Sequence, residues 1–193
     1  MEPDATPPAP SPEPAFSAAQ VALADAVREI EQHVATAGWD APVRLFALVE
    51  TSQALDADPT LADRLPPEVV ATARAEPRHL TSVEQELDPT DDLEALLGRI
   101  GWPPAVAGAA VVVERIVLPP EAEDDVPAEH EAALEHLANH PDRQDVRIAA
   151  GVLREGSTWC ALRSRSHDAD DQVAFGPDLV PGLTEALRAT FED

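Results

Sequence analysis

Lysine and tyrosine are absent from this 193-residue chain, and asparagine and cysteine occur once each, at Asn139 and Cys160. Without lysine there is no Schiff-base nucleophile, no pyridoxal anchor and no P-loop ammonium for a phosphate. A single cysteine excludes an internal disulfide, and Cys160, set in an apolar run with no partner histidine beside it, reads as a buried, inert thiol. The eight glycines are scattered, and neither G-x-G-x-x-G nor G-x-S-x-G occurs among them. Four phenylalanines and three tryptophans leave few stacking platforms for bases. Positive charge is also scarce: 13 basic residues, all arginine, stand against 37 acids, for a formal net charge of −24. A field of that sign repels nucleic-acid backbones and anionic membrane surfaces, so neither is expected as a partner. The longest uncharged apolar segment, Ala105 to Val113, is far below membrane-spanning length, and the N-terminus lacks the basic and apolar stretches of a leader. A cytoplasmic location is the expectation.

What is present describes a folded domain with a proline-rich lead. Residues 1–15 carry six prolines and no large aliphatic after Met1, which predicts an extended, disordered tail. Residues 16–193 suit one domain with a core of small aliphatics. Ser17-Ala-Ala-Gln20 has the form of a capping box and opens a helix with Leu23, Val27, Ile30 and Val34 on one face, stopped at Gly38. Val43 to Val49 reads as a strand, 51–76 as short helices broken at Asp58-Pro59 and Leu65-Pro66-Pro67, and His79 to Leu87 as a strand. The spacing predicts a helix over 90–100, and Ala109 to Leu118 is apolar enough for a strand covered on both faces. A helix from Pro127 to about His140 precedes the clearest hairpin signal, Val146–Arg154 against Ser157–Arg165 across Glu155-Gly156. A last helix starts near Pro181 and sets Leu183, Leu187 and Phe191 four residues apart. Together these predict an α+β single domain of about five mostly antiparallel strands with helices packed on one side. Gly38-Trp39 and Gly101-Trp102 each follow a helix and precede a strand. A true repeat would place the two indoles pseudo-symmetrically, and convergent use of glycine as a helix stop is the better explanation.

Five of the 13 arginines, Arg143, Arg147, Arg154, Arg163 and Arg165, fall in the hairpin region. Pairing across Glu155-Gly156 sets Ile148 opposite Arg163 and Val146 opposite Arg165, with Arg163 and Arg165 on one face. Arg147, Arg163 and Arg165 are therefore the candidate anion-binding residues, and neutralisation of the chain's own surplus carboxylates is the competing explanation. His136 and His140, at i and i+4, can face one metal ion, with a third ligand from Asp142 or the 167–171 loop; histidines in a last helical turn also complement the helix dipole. His130-Glu131-Ala-Ala-Leu134 lacks the second histidine of the zinc-protease motif. The acidic runs 121–125 and 168–171 lack the glycine and bidentate glutamate of a calcium loop. No catalytic residue stands out, and no cofactor is expected.

A set of phrases spread along the chain carries a resemblance: Ser82-Val-Glu-Gln-Glu86, Gly101-Trp102-Pro103, Val112-Val113-Glu114-Arg115, His140-Pro141-Asp142-Arg143, Gly151-Val-Leu-Arg-Glu-Gly156 and Gly176-Pro-Asp-Leu-Val-Pro-Gly182. On these, residues 16–193 resemble a family of uncharacterised acidic proteins from actinobacteria. The resemblance implies a cytosolic protein and brings no activity, cofactor or site residue with it.

Two functional readings follow. The first is a non-enzymatic interaction or regulatory module that docks a protein partner through a sheet face or the hairpin. The second is a small anionic-ligand-binding protein or minor enzyme using the arginines of 143–165, with His136, His140 or His167 as acid–base groups. Mimicry of a nucleic-acid backbone ranks below both, and no pattern in the sequence fixes an oligomeric state.

Overall fold

Ser17 caps the first helix as its sequence requires. In a computed structural model, which describes residues 16–87, 92–118, 127 and 129–192, its hydroxyl accepts the Gln20 N–H and the Gln20 side chain accepts the Ser17 N–H, both at 3.1 Å. The helix, α1 (Ala18–Ala35), buries Leu23, Val27, Ile30 and Val34 completely and is capped by Thr36, short of the expected stop at Gly38, whose φ of 83° in the following turn a side chain would resist. The tail read over 1–15, the acidic run 121–125 and the start of the helix read over 90–100 lie outside the described residues.

Six strands form one antiparallel sheet: β1 (Arg44–Glu50), β2 (Leu80–Gln85), β3 (Gly108–Val117), β4 (Gln144–Leu153), β5 (Thr158–Ser164) and β6 (Ala174–Gly176), in the order β2-β1-β3-β4-β5-β6. The α+β architecture is as read. The sixth strand was not, because three residues ending in a glycine carry no alternation to read. Between β1 and β2 the chain runs through α2 (Thr51–Ala57), a short 3-10 turn and α3 (Pro67–Ala75). Among the described residues the remaining helices are α4 (Leu93–Leu97), α5 (His130–Asn139) and α6 (Pro181–Ala189). Helix α5 begins later than its proline suggests because the Glu129 carboxylate caps it, accepting the N–H groups of Glu131 and Ala132.

Helices cover both faces of the sheet, not one. On one face α1 packs against Phe46, Leu48, Ala110, Val112, Ala149 and Ala161; on the other, Leu97 of α4 and Leu187 of α6 pack with Val111, Val113, Ile148, Val152 and Cys160. The physical reason is in β3 and β4, which are apolar at odd and even positions alike, so each face needs its own cover. The two indoles go to different places accordingly. Trp39 sits beside Arg147, whereas Trp102 belongs to the α4–α6 core, stacks on Phe191 at 6.0 Å and donates to Thr190 Oγ1 at 2.9 Å. Among the described residues, no helix is long and apolar enough to cross a membrane.

The hairpin register is one residue away from the expected one. Arg147 stands opposite Arg163, Ile148 opposite Leu162 and Val146 opposite Ser164. The loop closes at Leu153 and Ser157, with Leu153 N–H donating to Ser157 O at 2.9 Å, and Gly156 adopts a φ of 103°. It is therefore a three-residue turn with its glycine in a positive-φ position, where a two-residue turn had been assumed. A one-residue slip exchanges the pairing partners of every side chain on the strand.

Two glycines mark where backbone and helix come closest. A Cβ on Gly151 would lie 2.6 Å from Val27 Cγ2 and 3.0 Å from Leu23 Cδ1, so α1 rests on a floor made small for it. A Cβ on Gly108 would collide with the carbonyl oxygen of Val152, which cannot rotate away. Both substitutions to alanine are expected to destabilise, by about 1–3 kcal/mol for Gly151→Ala and by more for Gly108→Ala. Urea unfolding of the two variants checks the order.

Candidate functional site: an arginine–tryptophan cluster and an open sheet edge

The register places Glu114, Arg147 and Arg163 in one row across β3, β4 and β5, on the α1 face of the sheet two residues beyond Val112, Ala149 and Ala161. Two guanidiniums directly opposite one another repel, and both are sealed from water, Arg147 at 1% exposure and Arg163 at 2%. Four carboxylates delivered from three segments of the chain compensate them. Arg163 donates from Nε to Glu31 Oε1 at 2.5 Å and from Nη2 to Glu31 Oε2 at 2.9 Å, a two-pronged pair with a helix residue that is itself 1% exposed. Its remaining donors reach Asp168 Oδ1 at 3.2 Å and Asp170 Oδ1 at 2.8 Å. Arg147 donates to Glu114 Oε1 from Nε at 3.2 Å and from Nη2 at 2.9 Å, and also to the carbonyl oxygen of Gly38.

The turn that leaves α1 closes over this row. The Trp39 ring centroid lies 4.4 Å from the Arg147 guanidinium carbon and 5.5 Å from that of Arg165, within cation–π range of both. Its Nε1–H donates to Asp168 Oδ2 at 2.8 Å. Asp40 follows in a left-handed conformation, φ 65°, which lets its N–H reach Glu114 Oε2 at 2.8 Å while its carboxylate takes both Nη groups of Arg165 at 2.8 Å. The electrostatics follow the geometry. The Trp39 indole N–H, and after it Arg163, hold the Asp168 carboxyl below its ordinary value, and Arg165 does the same for Asp40. The Glu31 carboxylate raises Arg163 further against the opposing effect of burial, so its charge is secure.

Arg147, Arg163 and Arg165 are thus brought together, and each guanidinium is engaged by the protein's own acids. The residues that engage them were missed in the sequence, although two left a signal. Glu31 falls on the same helical stripe as Val27 and Val34, and Glu114 falls on the inward alternation of β3; an acid in either position requires a cationic partner. In the sequence Trp39 belongs only to a Gly-Trp echo, and the structure joins it to the arginines.

His136 and His140 stand with ring centroids 5.3 Å apart, and His140 Nδ1 accepts the Asp142 N–H at 3.2 Å. Among the described residues no group of three or more metal-ligating side chains could hold an ion. The His130 side chain lies outside the described residues. Cys160 is free and fully buried in β5, and burial pushes its thiol upward.

Away from the arginines, the outermost strand β2 has no strand paired on its far side among the described residues. Thr51 N–H donates to His79 O at 3.0 Å, which continues the β1–β2 ladder and sets its phase. Hydrogen-bonded pairs recur at every second residue, so Thr81, Val83 and Gln85 bond inward and Leu80, Ser82 and Glu84 turn their N–H and C=O groups outward. Ser82, Val83 and Glu84 are exposed, Val83 by 48%. The neighbouring ladder is pinned by Arg44, which donates from Nε and Nη2 to the two carboxylate oxygens of Glu84 at 2.6 Å each.

The family described as PPA1309-like protein matches residues 23–192, which take in both the arginine row and the open edge. The chain belongs to that family. No curated protein and no solved structure matches it. The family description assigns no activity, so the functional reading rests on the geometry above.

Glu31→Ala leaves the buried Arg163 with only its exposed partners, and a loss of about 3 kcal/mol is expected in urea unfolding, most of it recovered in the Glu31→Leu, Arg163→Met double variant. Trp39→Phe removes the donor to Asp168. The stabilisation linked to Asp168 is present above the unfolded-state value near 3.8 and is lost as pH falls through the lower folded-state value. In the variant an NMR titration is expected to find that carboxyl returned toward 3.8, with stability lower at neutral pH and its loss on acidification below that value shallower than in the wild type.

Proposed function

We propose that this protein is a non-enzymatic interaction module that receives an extended segment of a partner protein on the outer edge of β2. The observation that supports this reading is the edge itself: a six-residue strand with three residues turned outward and, among the described residues, no strand paired on its far side. Unpaired strand edges are templates for another strand, and an added segment draws affinity from main-chain hydrogen bonds and selectivity from alternate side chains. The opposite edge is a weaker template, since β6 spans only three residues.

The second reading, a small anion held by Arg147, Arg163 and Arg165, has less support. A ligand there would have to displace Glu31, Glu114, Asp40, Asp168 or Asp170 from guanidiniums they already hold, two of which are closed to solvent.

Ser82→Pro tests the edge. Its N–H faces solvent, so proline there removes no bond of the existing ladder but eliminates a donor and blocks an approaching strand. Peptides selected from a random extended library on the wild-type protein are expected to bind the Ser82→Pro variant at least about tenfold more weakly, measured by fluorescence anisotropy, while both proteins unfold at similar urea concentrations. Equal affinities for the two would remove the edge from consideration.

A further inference from the structure

The α1-side flank of the β2 edge is a groove of about 620 Å³ between α1 and α3, floored by Leu80 and opening at Ser82. Its walls carry Asp25 and Glu29 from α1, and Glu68 and Glu76 from α3 and the residue after it. One cation shares the groove, Arg28, and it is already taken by Asp25 at 2.6 Å. Glu29, Glu68 and Glu76 have no ionic partner among the described residues. The groove therefore has uncompensated negative charge where a strand added to β2 would place its side chains.

Building on the interaction reading above, we infer that the segment received at β2 is cationic, with an arginine or lysine opposite Ser82 and apolar residues on either side of it. Directly opposed residues in an antiparallel pair project to the same face, and Ser82, paired with Leu48 on its inner side, faces α1. A basic side chain at that position enters the groove between Glu29 and Glu68. The residues flanking it project to the other face, where they meet Val83, the exposed aliphatic of the edge. Charge also selects against the simplest competitor. A second copy brings another −24 and the same acidic flank to the edge, whereas a basic segment is drawn to it.

The test uses the full chain and one labelled peptide, acetyl-Ser-Val-Thr-Val-Arg-Val-Thr-Ser-amide, beside versions with glutamine or glutamate in place of arginine. Proteins are the wild type, Ser82→Pro, and the triple variant Glu29→Gln, Glu68→Gln, Glu76→Gln, all three of whose positions are exposed. At 0.15 M salt the arginine peptide is expected to bind the wild type about tenfold more tightly than the glutamine peptide, and the triple variant is expected to lose that preference. Ser82→Pro is expected to weaken every peptide. If arginine and glutamine peptides bind equally and both are lost in Ser82→Pro, strand addition stands and the cationic inference fails. An arginine preference that survives Ser82→Pro would mean charge attraction without strand addition and would overturn both readings. Absence of binding by every peptide also overturns both; a wild-type dimer that Ser82→Pro dissociates would then assign the edge to a second copy.

Discussion

Arg147 and Arg163 stand opposite each other on neighbouring strands, both closed to solvent, and they can remain charged there only if carboxylates are delivered to them. Separate pieces of chain make that delivery. Helix α1 brings Glu31, strand β3 brings Glu114, and the loop after β5 brings Asp168 and Asp170. The turn after α1 adds the Trp39 ring and the Gly38 carbonyl. Each is fixed in register by what it must reach: shifting α1 by one turn, or β4 by one residue, would leave a buried charge without its partner. Apolar contacts alone tolerate such slips more readily, because hydrophobic burial is not directional. The ion-pair row is best understood as the constraint that sets how α1 lies on the sheet, with the Leu23–Val27–Ile30–Val34 stripe supplying the larger share of the stabilisation.

This arrangement also accounts for why two of the 13 arginines, Arg147 and Arg163, lie in the interior. In a chain of −24, a cation at the surface is surrounded by acids wherever it lies, and exposed pairs of that kind contribute little. A cation in the interior commands its neighbours, and arginine with its planar fork can hold several acceptors at once where an ammonium is a point charge. At the surface, Arg154 uses the same fork with neutral partners: it donates to the carbonyls of Trp102, Pro103 and Val106 and lies 4.7 Å from the Phe191 ring centroid, tying the 102–106 segment to the end of β4.

Local chemistry was the readable part of the sequence. The Ser17 capping box, the apolar stripe of α1, the doubly apolar β3 and the concentration of arginine around the hairpin are short-range patterns, and the structure contains all of them. What could not be read depends on pairing at a distance. The register of β4 and β5 turned on whether the loop held two or three residues, a difference that Glu155-Gly156 does not announce. The covering of both faces was implicit in β3, but which helix goes to which face is decided by chain connectivity. Glu31 and Arg163, 132 residues apart, carry no mutual signature in one sequence; each shows only that a charge occupies an apolar position.

The same excess of acid that holds Arg147 and Arg163 in the interior also shapes the open edge. Exposed strand edges invite uncontrolled pairing, and proteins commonly blunt them with charge. Here the blunting is one-sided: Glu29, Glu68 and Glu76 line its α1 flank, so another copy of this chain, or any acidic segment, meets repulsion before it meets the free N–H groups. Repulsion of that sign does not close the edge; it filters what reaches it. Fixed acids beside unpaired backbone donors and acceptors disfavour self-association and favour a basic strand through one and the same field.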